Sequence, residues 1–346
     1  MKRGNRLAND MKSRGKEEVK EKKKYEGNTE VMVSTGSTLL DLAISGGRVR
    51  GGGIPGGILV EIFGPSGSGK TVLLSEIAGA IQRKGGDIMF HDPEARLNKQ
   101  FAQIFDLDTE DIAYTTPDTV TEVFQAVRKW EPEGKKINGV LADSLAALST
   151  NLEMDKEEGD KMGMRRAKEF SEELRKTARI LTQRNLLMVC SNQVRVNADA
   201  SPYSEKYTTP GGMSIGFYSS LRLRMKSSAK IKNTEKIAGK EVSRIIGIET
   251  EIEVYKSSIW KPYRTAPVII LFDYGVDDIR ANLMFIKKYT ANTIYAVGDN
   301  SLGVCLEKAV QKVEDEGLEK QLKNQVIDLW EVIESKFDTE RKKKER

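Results

Sequence analysis

Apolar positions in this chain gather in short runs separated by longer amphipathic stretches. Ile58-Leu59-Val60-Glu61-Ile62-Phe63 predicts a buried strand. Val72, Leu73, Ile77 and Ile81 then keep helical spacing, and Gly85-Gly86 ends that helix. Ile88-Met89-Phe90 predicts a second strand, Val123, Phe124 and Val127 a helix, and Gly139-Val140-Leu141-Ala142 a third strand ending at Asp143. A charged helix follows from about Arg165 to Gln183, then a fourth strand over Leu186-Leu187-Met188-Val189-Cys190. Short apolar strands alternating with helices imply a parallel sheet covered on both faces.

Two flanking regions depart from this rhythm. Ahead of it, Val33-Ser34-Thr35-Gly36-Ser37 leads into Leu39, Leu40, Leu42 and Ala43, and Gly46 to Gly57 forms a glycine-rich crossing. After about Gly211, three strands come in succession: Leu221 to Met225, Ile248 to Val254 and Val268 to Phe272. Two of them alternate apolar and polar residues, which predicts an antiparallel extension with one wetter face. Lys226 to Ser243 is expected to be an exposed loop or hairpin connection. Beyond it, residues 280–340 read as helical, with Leu318, Leu322, Val326 and Leu329 on one face. No repeat is present. The expected organisation is a basic flexible arm at 1–30, an α/β core at 31–280, a small helical subdomain at 281–340 and a basic tail at 341–346.

Composition narrows the class. The 346 residues are 38% hydrophobic and 31% charged, enough for a core beneath a polar surface. No apolar run approaches the roughly 20 residues needed to span a bilayer, and no apolar segment follows the basic N-terminus, so neither a membrane partner nor a secretory signal is expected. Cys190 and Cys305 are the two cysteines and His91 the single histidine, which excludes a disulfide framework and a His/Cys metal cluster. A reducing cytoplasm suits that usage. Net charge is +5, but Lys20, Lys22, Lys23 and Lys24 concentrate near one end and Arg341, Lys342, Lys343, Lys344 and Arg346 at the other. Such runs suit nucleic-acid contact or a solvated tail.

The chemistry lies at the ends of the predicted strands. Gly64-Pro65-Ser66-Gly67-Ser68-Gly69-Lys70-Thr71 fits the phosphate-binding loop G-x-x-x-x-G-K-[ST] and stands between a strand and a helix, as that loop requires. Its glycines let consecutive N–H groups face one anionic cluster. Lys70 is placed to reach the β- and γ-phosphates of ATP, and Thr71 to ligate Mg2+. Asp143, a carboxylate at the end of a buried strand, is the second expected Mg2+ ligand. Glu94, just past the second strand, is placed to activate the attacking water. His91 lies on that strand and is expected to be packed and neutral. Asn192-Gln193 ends the fourth strand, where Gln193 would feel the presence or loss of the γ-phosphate. Two segments follow these strand ends. Glu153 to Lys168 holds Met162, Gly163, Arg165 and Arg166, and Val194 to Gly212 holds Arg195, Asn197, Thr209, Gly211 and Gly212. Composition alone leaves two readings open: backbone-tracking DNA loops, or lids over ATP. Arg175, farther along the charged helix, joins the DNA-binding candidates.

In their order, these residues resemble the RecA family of homologous-recombination ATPases. The resemblance covers roughly 31–280 and is nearest the bacteriophage variants. It rests on Ser34-Thr35-Gly36-Ser37 with Leu40-Asp41, on Gly64–Thr71, on Asp92-Pro93-Glu94, and on Asp143-Ser144-Leu145-Ala146-Ala147-Leu148. Asn192-Gln193-Val194-Arg195, Thr208-Thr209-Pro210-Gly211-Gly212 and Phe217-Tyr218-Ser219-Ser220-Leu221-Arg222-Leu223 complete it. It implies a RecA-like ATPase that forms ATP-bound filaments on single-stranded DNA and exchanges strands with homologous duplex DNA. A single-strand-binding protein or loader is a further partner, and the cytoplasm of a bacterial or phage-infected cell the setting. It also implies Glu94 as catalytic glutamate and Gln193 as γ-phosphate sensor. Phe101 would stack on adenine with Asn98 nearby, and the two segments after Asp143 and Gln193 would be the DNA loops. Lys256 keeps one of two lysines that relatives place across the subunit interface. Ser258 stands at the second and Gly216 at another interface lysine, leaving Lys261 or Arg264 as substitutes. A recombination mediator without strand exchange and a ring helicase motor are the alternative uses of this core.

Overall fold

The computed structural model describes residues 31–97, 99–134, 136–149, 162–196, 207–208, 213–226, 228–290 and 292–341, with backbone alone at 162–166, 195–196, 207–208 and 213. A short strand β1 (Met32–Val33) pairs antiparallel with β2 (Ile54–Pro55) around helix α1 (Thr38–Ser45). Then β3 (Leu59–Gly64), α2 (Lys70–Gln82), β4 (Ile88–His91), α3 (Lys99–Ile104), β5 (Ile112–Thr115), α4 (Val120–Lys129), β6 (Asn138–Ala142), α5 (Met162–Gln183) and β7 (Leu186–Gln193) alternate, with α3 and β5 additional to the elements the periodicity predicts. β8 (Arg195–Val196) pairs with β9 (Tyr207–Thr208), followed by α6 (Met213–Tyr218). The later strands are β10 (Leu221–Met225), β11 (Ala229–Ile237), β12 (Lys240–Ser257), β13 (Thr265–Leu271) and β14 (Gly275–Val276). The chain ends through α7 (Asp278–Thr290), β15 (Tyr295–Val297), β16 (Asn300–Gly303), α8 (Leu306–Asp315) and α9 (Glu319–Ser335).

The main sheet runs β14-β13-β12-β10-β3-β7-β6-β4-β5. From β10 to β5 neighbouring strands are parallel; β12, β13 and β14 extend it antiparallel. Alternation along the central strands sorts the core into two layers. Val60 and Ile62 of β3 and Leu187 and Val189 of β7 join α1 and α2 on one face. Leu59, Leu186, Met188 and Cys190 join α4 and α5 on the other, where Phe124 and Phe170 meet edge to face at 6.3 Å between ring centroids. Burying one such side chain contributes about 1.5–3 kcal/mol. Among the described residues no helix is long and apolar enough to cross a membrane.

Two segments sharpen the sequence pattern, and the first takes the hairpin form of the exposed connection expected there. Lys226 to Ser243 is largely strand: β11 pairs with the front of β12 from Ala229↔Glu249 to Ile237↔Lys240. The turn is Ala238-Gly239, with φ of 50° and 80°, the doubly positive geometry that joins two-residue hairpins. Its lysines and glutamates conceal it, because the backbone ladder forms without an apolar face. The expected helical stretch is interrupted between α7 and α8 by the β15–β16 hairpin. Leu322 and Val326 of α9 belong to the same apolar cluster as Leu39 and Leu42 of α1.

Carboxylates tie the lead-in segment to the far end of the chain. Asp41 accepts hydrogen bonds from the Thr35 N–H (2.8 Å), the Thr35 hydroxyl (2.8 Å) and the Ser34 hydroxyl (2.5 Å). Asp278, at the start of α7, accepts from the Thr38 N–H (2.7 Å) and hydroxyl (2.6 Å). Glu76 of α2 accepts from the Val276 N–H at 2.9 Å. The Ser34–Ser37 turn thus keeps its shape because Asp41, from the helix it starts, folds back onto it. Burial raises the pKa of all three carboxyls, and pushes Asp41 up to about 6 against the lowering effect of its donors.

A carboxyl whose folded pKa is raised stabilises the fold when protonated, and loses that contribution as pH rises through the folded pKa. From 3.8 to about 6, that is about 3 kcal/mol for Asp41. Urea denaturation of the wild type and Asp41→Asn across the window from about pH 4 to pH 7 will show the wild type losing stability relative to the variant. Parallel pH profiles would remove the titration from Asp41.

Candidate active site

The phosphate loop emerges from β3 and closes into α2. Gly67 and Gly69 have φ of 73° and 94°, and a Cβ on Gly69 would stand 2.4 Å from the Ile270 Cδ1. The left-handed backbone favours glycine at both positions, and at Gly69 a Cβ would also have to displace the Ile270 methyl. The Ser68 hydroxyl donates to the Pro65 carbonyl at 2.9 Å and braces the loop. Lys70 folds back over it, donating to the carbonyls of Gly64 (3.1 Å) and Pro65 (2.8 Å). Burial lowers the Lys70 pKa; Asp143 raises it again, Arg96 lowers it and Glu94 raises it.

Strand register brings the oxygen donors together. Ala142 on β6 stands opposite Cys190 on β7, so Asp143, just past the end of β6, lies beside Ser191, which is still within β7. The Thr71 hydroxyl donates to Asp143 Oδ2 at 2.6 Å, and the Ser191 hydroxyl donates to Asp143 Oδ1. Thr71 and Asp143 come together as the sequence predicts, whereas Ser191 was legible there only as a residue inside an apolar strand. Among the described residues no three His, Cys, Asp or Glu side chains converge. One carboxylate with hydroxyls is a hard-oxygen set, which fits Mg2+ sharing its shell with water and phosphate.

The same cavity, of 380 Å3, is lined by the phosphate loop with Glu94, Phe101, Asp143 and Gln193. Glu94 stands on a turn organised by Asp92, which is buried and accepts from the Leu97 N–H (2.7 Å) and the Tyr114 hydroxyl (3.0 Å). The Ala95 N–H closes that turn on the Asp92 carbonyl at 3.0 Å. Glu94 Oε2 pairs with Arg96 Nη1 at 3.0 Å. His91 is buried, its Nδ1 lies 2.7 Å from the Thr115 hydroxyl, and burial pulls its pKa down to about 4, leaving a neutral ring. Besides Ser191, four lining residues escape the motif reading: Arg96, Ile248, Ile270 and Phe272. Arg96 lies just past the Asp92-Pro93-Glu94 motif, and the other three come from the antiparallel extension, which strand pairing alone brings to the cavity.

Gln193 is the exposed last residue of β7 and lines the cavity from its sheet edge. Behind it, Asn192 is buried and donates to Glu61 Oε1 at 3.0 Å, while Arg222 Nε donates to Glu61 Oε2 at 2.6 Å. The Arg222 guanidinium also lies 4.5 Å from the Phe63 ring centroid. Lys256 is on β12, away from this cavity's lining, and donates to the carbonyls of Gly216 (2.8 Å) and Phe217 (3.0 Å). Burial lowers its pKa, as does Arg222, while Glu61 raises it. Lys261 pairs with Asp338 at 2.8 Å, and Arg264 with Glu334 at 2.7 Å.

The candidate DNA residues divide by position. Met162, Gly163, Arg165 and Arg166 occupy the start of α5 by backbone, with side chains outside the described atoms. Arg175 is exposed farther along that helix. Arg195, described by backbone, pairs with Thr208 across β8 and β9, which brings the two ends of the second segment together. Asn98, Asn197, Thr209, Gly211 and Gly212 lie outside the described residues.

Residues 5–277 match the family model of the RecA N-terminal domain. The protein named Protein RecA from Delftia acidovorans is 30% identical over 304 residues, covering 86% of this chain and 78% of the relative. Protein RecA from Thermus thermophilus is 32% identical over 290 residues, covering 82% and 81%. That from Borrelia hermsii is 31% identical over 282 residues, covering 80% and 76%. These matches span most of the chain and include the phosphate loop, the Asp143 strand and the Gln193 strand that together build the cavity, so the chain belongs to the RecA family.

Proposed function

We propose that this chain is a DNA-dependent ATPase recombinase, assembling with ATP on single-stranded DNA and promoting pairing and strand exchange with a homologous duplex. One observation carries the reading: Lys70, the Thr71–Asp143 pair, Glu94 and Gln193 meet at a single cavity on the carboxyl edge of the parallel strands. That combination holds a triphosphate, places a base beside it and reports its state to the segment beyond β7.

The phosphates of ATP lie against the N–H groups of Gly64–Thr71 at the start of α2, where the helix dipole favours negative charge. Lys70 exchanges its two loop carbonyls for phosphate oxygens. Phe101 stacks on adenine, with Asn98 as a further contact to the base, and Phe272, just past β13, lines the same cavity. Thr71 and Asp143 would hold Mg2+, which would neutralise phosphate charge. Glu94 orients water and takes its proton as the water oxygen bonds to the γ-phosphorus. The bond from that phosphorus to the β–γ bridging oxygen breaks, and its electron pair leaves with ADP. Gln193 senses the γ-phosphate and passes its presence to the 194–212 segment. With 153–168, that segment grips the DNA backbone, using Met162, Gly163, Arg165, Arg166, Arg195, Asn197, Thr209, Gly211 and Gly212, with Arg175 behind them. In the filament Lys256 faces the neighbouring subunit's nucleotide. A single-strand-binding protein or loader assists assembly in the cytoplasm of a bacterial or phage-infected cell.

Three measurements test this reading. Lys70→Ala will lower ATP affinity by about 10-fold or more and abolish ATP-driven pairing in a strand-exchange assay; retained pairing would contradict its role. Glu94→Gln will keep ATP and DNA binding but cut hydrolysis by at least about 100-fold, so full turnover in that variant would dismiss it as the base. Single-stranded DNA will bind about 5- to 150-fold more tightly with a non-hydrolysable ATP analogue than with ADP, and electron microscopy of the analogue complex will show helical filaments. Equal affinities, closed rings or unassembled protein would each refute the recombinase reading.

A further inference from the structure

A second cation shares the cavity with Lys70. Arg96 lines it from the turn after β4, with its guanidinium 3.0 Å from Glu94. Its side chain is 62% exposed, and among the described residues its one ion pair is with Glu94. Its charge reaches Lys70, where it opposes protonation of the amine. Three basic residues near the antiparallel extension, Lys256, Lys261 and Arg264, stand outside this cavity's lining. Lys256 is bonded to two carbonyls, Lys261 to Asp338 and Arg264 to Glu334. Phosphoryl transfer spreads negative charge over the γ-phosphate oxygens and needs cations beyond the loop lysine. Among the described residues, Arg96 is the remaining cation on the cavity wall.

We propose that Arg96 is a further catalytic residue, an arginine supplied by the same subunit that exchanges Glu94 for the γ-phosphate when ATP occupies the cavity. This rests on the hydrolytic reading of the site. With no γ-phosphate present, the guanidinium neutralises Glu94 and so restrains the base. An exposed pair of this kind is weak, so giving it up costs little. The γ-phosphate offers more charge and two oxygens matched to the guanidinium fork. Once released, the Glu94 carboxylate takes the proton of the attacking water, while the bond from the γ-phosphorus to the β–γ bridging oxygen breaks with its electrons leaving on ADP. Arg96 balances the charge that develops on the departing phosphoryl group. The base is thus released by the substrate it acts on.

The full chain with single-stranded DNA provides the test, using Arg96→Ala and Arg96→Lys. Arg96→Ala will lower kcat by about 100-fold or more with ADP affinity within about twofold of wild type. Arg96→Lys will recover part of kcat, because it keeps the charge and loses the fork. In fluorescence binding, the preference for a non-hydrolysable ATP analogue over ADP will fall about 10-fold in Arg96→Ala. A kcat within about twofold of wild type, or an unchanged analogue-to-ADP preference, would overturn the proposal. The binding preference separates the two readings: a wild type that fails to turn over ATP refutes the hydrolytic site, and the preference still decides whether Arg96 meets the γ-phosphate.

Discussion

The parallel register of β3, β7, β6 and β4 is the constraint on which this molecule depends. Gly64 is opposite Gln193, Ala142 opposite Cys190 and His91 opposite Ala142. β3 and β7 therefore end together, as do β4 and β6 a few residues earlier, and the residues leaving each strand face a shared space at one edge of the sheet. The phosphate loop, Gln193, Asp143 and the Glu94 turn are all placed in that way. A slip of one residue in any pair would invert that strand's side chains between the two core layers. Because each layer is apolar and closely packed, such a slip is strongly opposed, and the site inherits the precision of the core.

Beneath β7 lies a charge that the core tolerates only because it is fully partnered. Glu61 is completely buried on β3, accepting from Asn192 of β7 and from Arg222 of β10. Buried ion pairs are not strong stabilisers, but removing one partner strands the other in a medium that solvates it poorly. The pairing thereby fixes the relative position of three adjacent strands. On the far side of Arg222 stand Gly216 and the carbonyls that hold Lys256. One polar path therefore runs from Gln193's neighbour to the face that carries Lys256.

The antiparallel extension has two physical roles. Its inner end supplies Ile248, Ile270 and Phe272 to the cavity and lays the Ile270 methyl against Gly69. Its outer end is the β11–β12 arm, charged and mostly exposed, where a ladder of backbone bonds and a tight turn set the structure in place of a core. The far end of the chain is held to the lead-in turn through Asp278 and Thr38 and to the extension through Arg264 and Glu334.

The features legible in the sequence were local ones. The strand–loop–helix order around Gly64–Thr71, the acid at the end of the Asp143 strand and the amide at the end of the Gln193 strand are readable because strand and helix periods, and the backbone needs of a phosphate loop, are written over a few consecutive residues. The alternating extension and the terminal helices were legible for the same reason. Which distant residues meet was settled by folding. Ser191 beside Asp143, Phe272 and Ile248 at the nucleotide cavity, Asp278 under Thr38 and Arg222 on Glu61 depend on strand order and register, which no local pattern encodes. Arg96 is the instructive case, two residues from a recognised glutamate and yet unremarkable as a charge in a loop. A surface cation acquires chemistry only from the direction it faces, and that direction was set by Asp92 folding the turn around its buried carboxylate.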